Sequence, residues 1–112
     1  MTGGGEINES PSGFGNFGFN VQTKGTGISG QLEYQNHASN VNVHSTSITS
    51  LCVTGNSATF SGTCTQNNTS CTFTVTIQDN GEPGDGVDVF RISVNGGPSE
   101  GGVITKGNIQ TH

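Results

Sequence analysis

The segment SATFSGTCTQNNTSCTFTVTIQ at residues 57–78 decides the fold class of this chain. Apolar and polar residues alternate on both sides of Asn67-Asn68, a dipeptide suited to the two-residue turn of a β-hairpin. With the turn there, one side of the sheet carries four facing pairs: Ala58 with Ile77, Phe60 with Val75, Gly62 with Phe73, and Cys64 with Cys71. A shift by one residue would place serines and threonines in the core, so the turn and the hydrophobic pattern predict the same register.

Similar short alternating segments recur along the rest of the chain, separated by turn residues. They predict eight strands, around 17–21, 28–34, 41–45, 51–53, 57–66, 69–78, 88–94 and 103–112. Residues 1–13 are rich in glycine, and we expect them to form a partly flexible lead-in. An open sheet of eight strands would expose long edges. We therefore expect residues 1–112 to form a single all-β domain, either an antiparallel up-and-down β-barrel or a two-sheet sandwich.

The composition argues against several classes of function. The length of 112 residues suits one domain, and only 10% of the residues are charged. The three cations, Lys24, Arg91 and Lys106, are scattered, so the chain lacks the basic surface that binds nucleic acid. No apolar run approaches the roughly 20 residues that cross a bilayer, and we expect no membrane insertion. A surface rich in Ser, Thr, Asn and Gly with few charges is typical of exported bacterial β-modules, which predicts a secreted or cell-surface location.

Three cysteines cannot all pair within one chain. Cys64 and Cys71 are the better candidates for a disulfide because they face each other across the predicted hairpin. Their positions form a hydrogen-bonded pair, which is a less comfortable site for a cross-strand bridge, so the reduced state stays an alternative. Cys52 would then be free, and we expect it to be a small buried hydrophobic residue. The absence of a Cys-x-x-Cys motif argues against a redox enzyme.

The segment DNGEPGDGVD at residues 79–88 is a candidate metal site. It places Asp79, Glu82, Asp85 and Asp88 on a loop whose glycines permit the sharp turns that calcium ligation requires. The spacing is not that of an EF-hand, and Asn-Gly followed by Pro-Gly also explains the segment as two successive turns. A structural Ca²⁺ site is therefore one hypothesis and a solvated loop the other, and we expect no other cofactor.

Two further arrangements of polar residues could carry chemistry. His37, His44 and His112 could join Glu33 in a transition-metal site, but their spacing favours separate surface positions, with His44 directed outward. Glu33 and Asp88 could act as the carboxylate pair of a glycosidase, yet a small meander domain offers no large groove. We therefore expect no enzymatic activity.

Several segments taken together resemble a known family. They are NFGFNV at 16–21, GQLEYQNHA at 30–38, VHSTSITSLCVTGNSATFSGTC at 43–64, FTVTIQDNGEPGDG at 73–86, FRISVNGGPSEGG at 90–102 and GNIQTH at 107–112. This combination resembles the small β-modules, sometimes labelled post-COAP domains, that recur near the C-termini of large exported bacterial proteins. The resemblance implies an accessory domain of extracellular proteins without an established catalytic activity or ligand. The chain departs from the family pattern at Cys52 and Cys71.

The sequence therefore predicts a non-catalytic accessory module that serves for spacing, display or docking. Its partners would be neighbouring domains of a larger exported protein or a surface polymer. The alternative is a module that binds a small ligand or a carbohydrate at one end of the barrel, with Ca²⁺ as a possible stabilising ion. Phe14 and Tyr34 are the only aromatic residues whose positions suit the surface, and there is no Trp. Few aromatic side chains are therefore available to stack on a sugar ring.

Overall fold

A computed structural model describes residues 2–8, 14–24, 27–36, 41–80, 88–97 and 100–110. These residues form eight strands, which are β1 (Thr2–Asn8), β2 (Phe14–Lys24), β3 (Gly27–Asn36), β4 (Val41–Thr54), β5 (Ser57–Gln66), β6 (Thr69–Gln78), β7 (Val89–Val94) and β8 (Glu100–Gln110). Each strand pairs with the next in antiparallel order, and β8 pairs with β1. The chain is therefore a closed up-and-down β-barrel, which leaves neither end of the sheet unpaired.

The register predicted for the β5–β6 hairpin is confirmed. All four facing pairs occur as expected, from Ala58 opposite Ile77 to Cys64 opposite Cys71. Asn67 and Asn68 have φ angles of 50° and 72°, which are the positive values that a type I′ turn requires. The Asn67 backbone N–H also donates to Asn42 O, and Asn67 Oδ1 accepts from Asn42 N, so two hydrogen bonds join the turn to β4.

Residues 2–8, which belong to the glycine-rich lead-in expected over residues 1–13, form the strand β1. The strand lies between β2 and β8, and its Ile7 is fully buried. The glycines have a packing role here. A Cβ on Gly3 would lie 2.5 Å from Cε1 of Phe19, so Gly3 leaves room for that ring. Residues 9–13 lie outside the described residues.

The two strands predicted around 41–45 and 51–53 are one strand, β4. Its register against β5 shifts twice, between Ser45 and Ser47 and again between Ile48 and Ser50. Each shift is a β-bulge, and each extra residue moves the following side chains to the opposite face. Val43 and Ile48 are therefore both buried although an odd number of positions separates them, and the continuous strand does not show continuous alternation.

Aromatic rings fill the centre of the barrel. The rings of Phe17 and Phe90 stack with their centroids 4.1 Å apart, and Phe19 packs on Phe60 with centroids 5.4 Å apart. Tyr34 joins this cluster against Phe90 and is only 1% exposed. The aliphatic core around the rings is Ile7, Val21, Leu32, Val43, Ile48, Val75, Ile77, Ile92, Ile104 and Ile109. The interior of this barrel is thus a packed core.

The start of β1 and the end of β8 lie at the same rim of the barrel. Thr2, the first residue of β1, faces Gln110, the last residue of β8. The turn that joins β4 to β5, Gly55-Asn56, lies at the same rim because β4 runs parallel in space to β8. We call this end of the barrel the terminal rim.

Candidate binding surface on the barrel wall

The structure joins the predicted cysteine pair. Cys64 and Cys71 form a disulfide with an S–S distance of 2.04 Å and a Cα–Cα distance of 4.9 Å, and both side chains are buried. Cys52 is free, as expected, but the expectation that it is buried is wrong. It lies opposite Thr59, whose side chain is on the outer face of the sheet, and it is therefore exposed. A disulfide indicates an oxidising, non-cytoplasmic setting.

The structure describes only part of the predicted acidic loop. Asp88 is completely buried, and its two carboxylate oxygens accept hydrogen bonds from backbone N–H groups, Asn80 N at 2.7 Å and Ile109 N at 2.9 Å. Asp79 directly follows β6, and its backbone N–H donates to Asn56 O. Glu82 and Asp85 lie outside the described residues. Asp88 thus accepts hydrogen bonds from the backbone of two other segments. Calcium binding by this loop stays a prediction.

His44 lies on the outer face of β4, as the alternation of residues predicted. His44 points outward from β4, and its Nδ1 is 3.3 Å from Oε1 of Glu33 on β3. Both side chains are more than half exposed. His37 and His112 lie outside the described residues. Within the described ranges, no group of three His, Cys, Asp or Glu side chains is close enough to hold a metal ion.

The outward side chains of β2 and β3 form a polar surface that none of the sequence motifs indicates. Along β2 they alternate as Asn16, Gly18, Asn20 and Gln22, and along β3 they are Ser29, Gln31, Glu33 and Gln35. The register places Asn16 opposite Gln35, Gly18 opposite Glu33 and Asn20 opposite Gln31. We call these eight residues the amide face. The signal was present in the sequence as Asn or Gln at five of these eight alternate positions.

A groove crosses the amide face at Gly18. It has a volume of about 360 Å³ and is lined by Gly18, Phe19, Asn20, Gln31 and Glu33. Phe19 points into the core, so only its backbone contributes to this outer surface. Gly18 lacks a side chain, and its neighbour across the β1–β2 ladder is Gly4, which also lacks one. The groove is therefore open backbone bordered by amide and carboxylate groups.

The opposite wall has different chemistry. The outward residues of β5 and β6 pair as Thr59 with Thr76, Ser61 with Thr74, Thr63 with Thr72, and Thr65 with Ser70. Some of these hydroxyls bond to hydroxyls of β4, as Thr63 does with Thr46 at 2.7 Å and with Ser47 at 2.8 Å. The two walls of the barrel are thus an amide face and a hydroxyl face.

The terminal rim holds a second depression, of about 520 Å³. The side chains that the alternation directs into it are Val21 and Thr23 of β2 and Leu51 and Val53 of β4. Val53 is 50% exposed there. Thr2, Asn20 and Gln22 also line this depression, so the described part of the rim presents both polar and aliphatic residues, and ligand binding at one end of the barrel stays a prediction.

Neither predicted surface aromatic provides a described stacking platform. Tyr34 belongs to the buried ring cluster, and the side chain of Phe14 lies outside the described part of the chain. A sugar on the described surface would therefore be held by hydrogen bonds and aliphatic contacts.

Comparisons with protein-family models, with curated proteins and with solved structures find no match to this chain. Among the described residues, no helix is long and apolar enough to span a membrane.

Proposed function

We propose that this domain is a non-catalytic accessory module of an extracellular protein, attached at its terminal rim and displaying its walls for docking. The observation that carries the proposal is the pairing of Thr2 with Gln110. Because these residues are antiparallel neighbours, chain segments that continued beyond β1 and β8 would leave the barrel side by side. Adjacent strands lie about 5 Å apart, so the folded barrel adds almost no length between such segments.

This geometry favours display and docking over spacing. A spacer increases the distance between its neighbours and needs its attachment points at opposite ends. Here the attachment points share one rim, and most of the wall projects away from them. Pulling on β1 and β8 would also separate their hydrogen bonds one after another, which is an unfavourable geometry for bearing a load.

Three other observations support an accessory role outside the cytoplasm. The barrel interior is filled by the aromatic cluster of Phe17, Phe19, Phe60 and Phe90, so it offers a rigid support. The Cys64–Cys71 disulfide suits an oxidising compartment. The resemblance of the sequence to post-COAP modules points to the same role in exported bacterial proteins.

Fluorescence energy transfer tests the attachment geometry. One protein carries a donor before β1 and an acceptor after β8, and the matched control carries the acceptor at Asn67 in the β5–β6 turn, at the far rim. We expect high transfer efficiency in the first protein and lower efficiency in the control, because a ten-residue strand separates the two rims by roughly 30 Å. Equal efficiencies, or a lower efficiency for the terminal pair, would refute the proposed attachment.

A further inference from the structure

We propose that the amide face binds a neutral glycan in the groove at Gly18, with Asn20, Gln31 and Glu33 as its hydrogen-bonding groups. The proposal names the chemical class of the docking partner, and it rests on the proposed function in that the wall must be displayed. The groove volume of about 360 Å³ falls within the range of small-ligand sites.

Gly18 is the first observation that points to a ligand. A Cβ at this position would meet nothing within 4 Å, and the backbone does not have the positive φ that would favour glycine. A glycine inside a strand weakens the strand, and it often marks a place where a ligand approaches the backbone closely. The fold thus does not require the glycine, whereas close approach of a ligand would.

A second glycine, Gly4, lies next to the groove on β1. It lies opposite Gly18 on β1, and its Cβ would make only an ordinary contact of 3.6 Å with Phe17 O. Two adjacent strands therefore lack side chains at the same level of the wall, although nothing near them would obstruct a methyl group. The result is a smooth strip of backbone in a surface that otherwise carries long polar side chains.

The borders of the groove have the chemistry that recognises hydroxyl groups. An amide offers both donors and an acceptor, and a carboxylate offers acceptors, so together they can serve adjacent sugar hydroxyls. Asn20 and Gln31 face each other across the ladder, and Glu33 faces Gly18. The side chain of Gln31 makes no hydrogen bond to another described residue, which leaves both ends of its amide available to a ligand.

Neighbouring side chains orient two of these groups. Gln22 Nε2 donates to Asn20 Oδ1 at 3.2 Å, and His44 Nδ1 lies 3.3 Å from Glu33 Oε1. Preorganisation of this kind lowers the entropic cost of binding. It also directs one amide and one carboxylate toward defined positions on the outer surface.

The charge distribution favours a neutral ligand. The chain has a net charge of −5, which repels anionic polymers. Among the described residues, Glu33 is the single carboxylate that lines the groove, and the imidazole of His44 lies 3.3 Å from it. A cationic ligand would meet little negative charge at this place, whereas a neutral polyhydroxylated ligand matches the uncharged amides.

Without a stacking aromatic, each sugar unit would be bound weakly. The amide face extends from Asn16 to Gln22, so it can contact several units of one chain at once. Repeated contacts along a polymer, or several copies of the module, would raise the effective affinity. We therefore expect a polymer or oligosaccharide as the partner.

Nuclear magnetic resonance titration tests the site. The probes are soluble neutral oligosaccharides of glucose, xylose, mannose, galactose and N-acetylglucosamine, added to ¹⁵N-labelled protein up to millimolar concentrations. We expect at least one of them to shift the backbone amides of Gly18, Gln31 and Glu33, which line the groove and not the terminal rim. The failure of every probe to shift these amides, or shifts confined to the terminal rim, would overturn the proposal.

A groove-filling variant separates binding from folding. Gly18→Val places a side chain in the groove, where its Cβ meets nothing, so we expect a melting temperature at or above that of the wild type and at least tenfold weaker binding. Asn20→Ala and Gln31→Ala should each weaken binding severalfold. The matched control is Thr74→Ala on the hydroxyl face, which should bind like the wild type. Undiminished binding by Gly18→Val would refute the site, while the energy-transfer result for the attachment geometry would stand independently.

Discussion

Replacement of Asp88 by alanine is expected to destabilise the barrel strongly. Asp88 is fully buried just before β7, and its carboxylate holds two segments that are distant in sequence. Oδ1 accepts from Asn80 N at the end of β6, and Oδ2 accepts from Ile109 N in β8. The Asp88 backbone carbonyl adds a third bond, from Ile104 N at 2.8 Å. The side chain thus connects β6 with β8 across the start of β7.

The magnitude is worked from the two described hydrogen bonds that the substitution removes. At about 2 kcal/mol for each hydrogen bond to a charged group, the loss is about 4 kcal/mol of unfolding free energy. Single domains are stable by only about 5–15 kcal/mol, so the variant would lose a large share of its stability. The carbonyl bond to Ile104 is made by the backbone and survives the change.

Asp88→Asn is the matched control because it preserves the shape of the side chain. Its single oxygen can accept one of the two bonds, while its amide group meets the other backbone N–H as a second donor. We expect Asp88→Asn to lose about 2 kcal/mol of unfolding free energy or somewhat more. Its stability should therefore lie between that of the wild type and that of the alanine variant. The amide proton of Ile109 should exchange faster in both variants.

Equilibrium unfolding in guanidinium chloride, with calcium and again with EDTA, measures these differences. A loss below about 1 kcal/mol for Asp88→Ala would refute the reasoning, because a surface side chain would have the same effect. If calcium raised the midpoint of the wild type but not that of the alanine variant, the carboxylate would serve the ion predicted for the 79–88 loop as well as the two amides.

Three further predictions concern packing and the cysteines. Gly62→Ala should cost about 3 kcal/mol, because its Cβ would lie 2.0 Å from Ser47 O in the bulged strand. Gly18→Ala, whose Cβ meets nothing, should change the stability by no more than about 0.5 kcal/mol, and equal losses in the two urea titrations would contradict the packing argument. Replacing Cys64 and Cys71 by alanine opens a loop with a sequence separation of 7. The chain-entropy relation gives a loss of about 2.5 kcal/mol of unfolding free energy. Calorimetry of the variant and of the oxidised wild type measures this difference. Cys52 is exposed, so one thiol per native chain should react rapidly with a maleimide. The two cysteines of the disulfide should react only after reduction and unfolding. Slow labelling of the native protein would place Cys52 in a protected position.

The amide face shows how far the sequence defines a candidate site. The alternation of Asn16, Asn20 and Gln22 in β2 predicts that these side chains share one face. It does not predict that Gln31 and Glu33 lie beside them, because that depends on the register between β2 and β3. The two residues between these strands, Gly25 and Thr26, lack the asparagines that specify the register of the β5–β6 hairpin. The groove at Gly18 therefore became visible only when the strands were paired.

By itself the sequence determined the parts of the fold whose pattern is local. The alternation from Ala58 to Ile77 and the asparagines at the turn specify the β5–β6 register, and with it the facing positions of Cys64 and Cys71. Both signals lie within about 20 consecutive residues, and a one-residue error would bury polar side chains. No distant contact was needed to decide among the possible registers.

The tertiary structure alone decided the features in which another segment supplies the cause. The strand β1 has little hydrophobic pattern of its own, since the ring of Phe19 occupies the space above Gly3. The bulges of β4 reverse its alternation twice, so its continuity depends on pairing with β5. Closure as a barrel depends on β1 meeting β8, and the role of Asp88 depends on Ile109. Alternation records only which side a residue faces, whereas these features depend on which strand lies next to it.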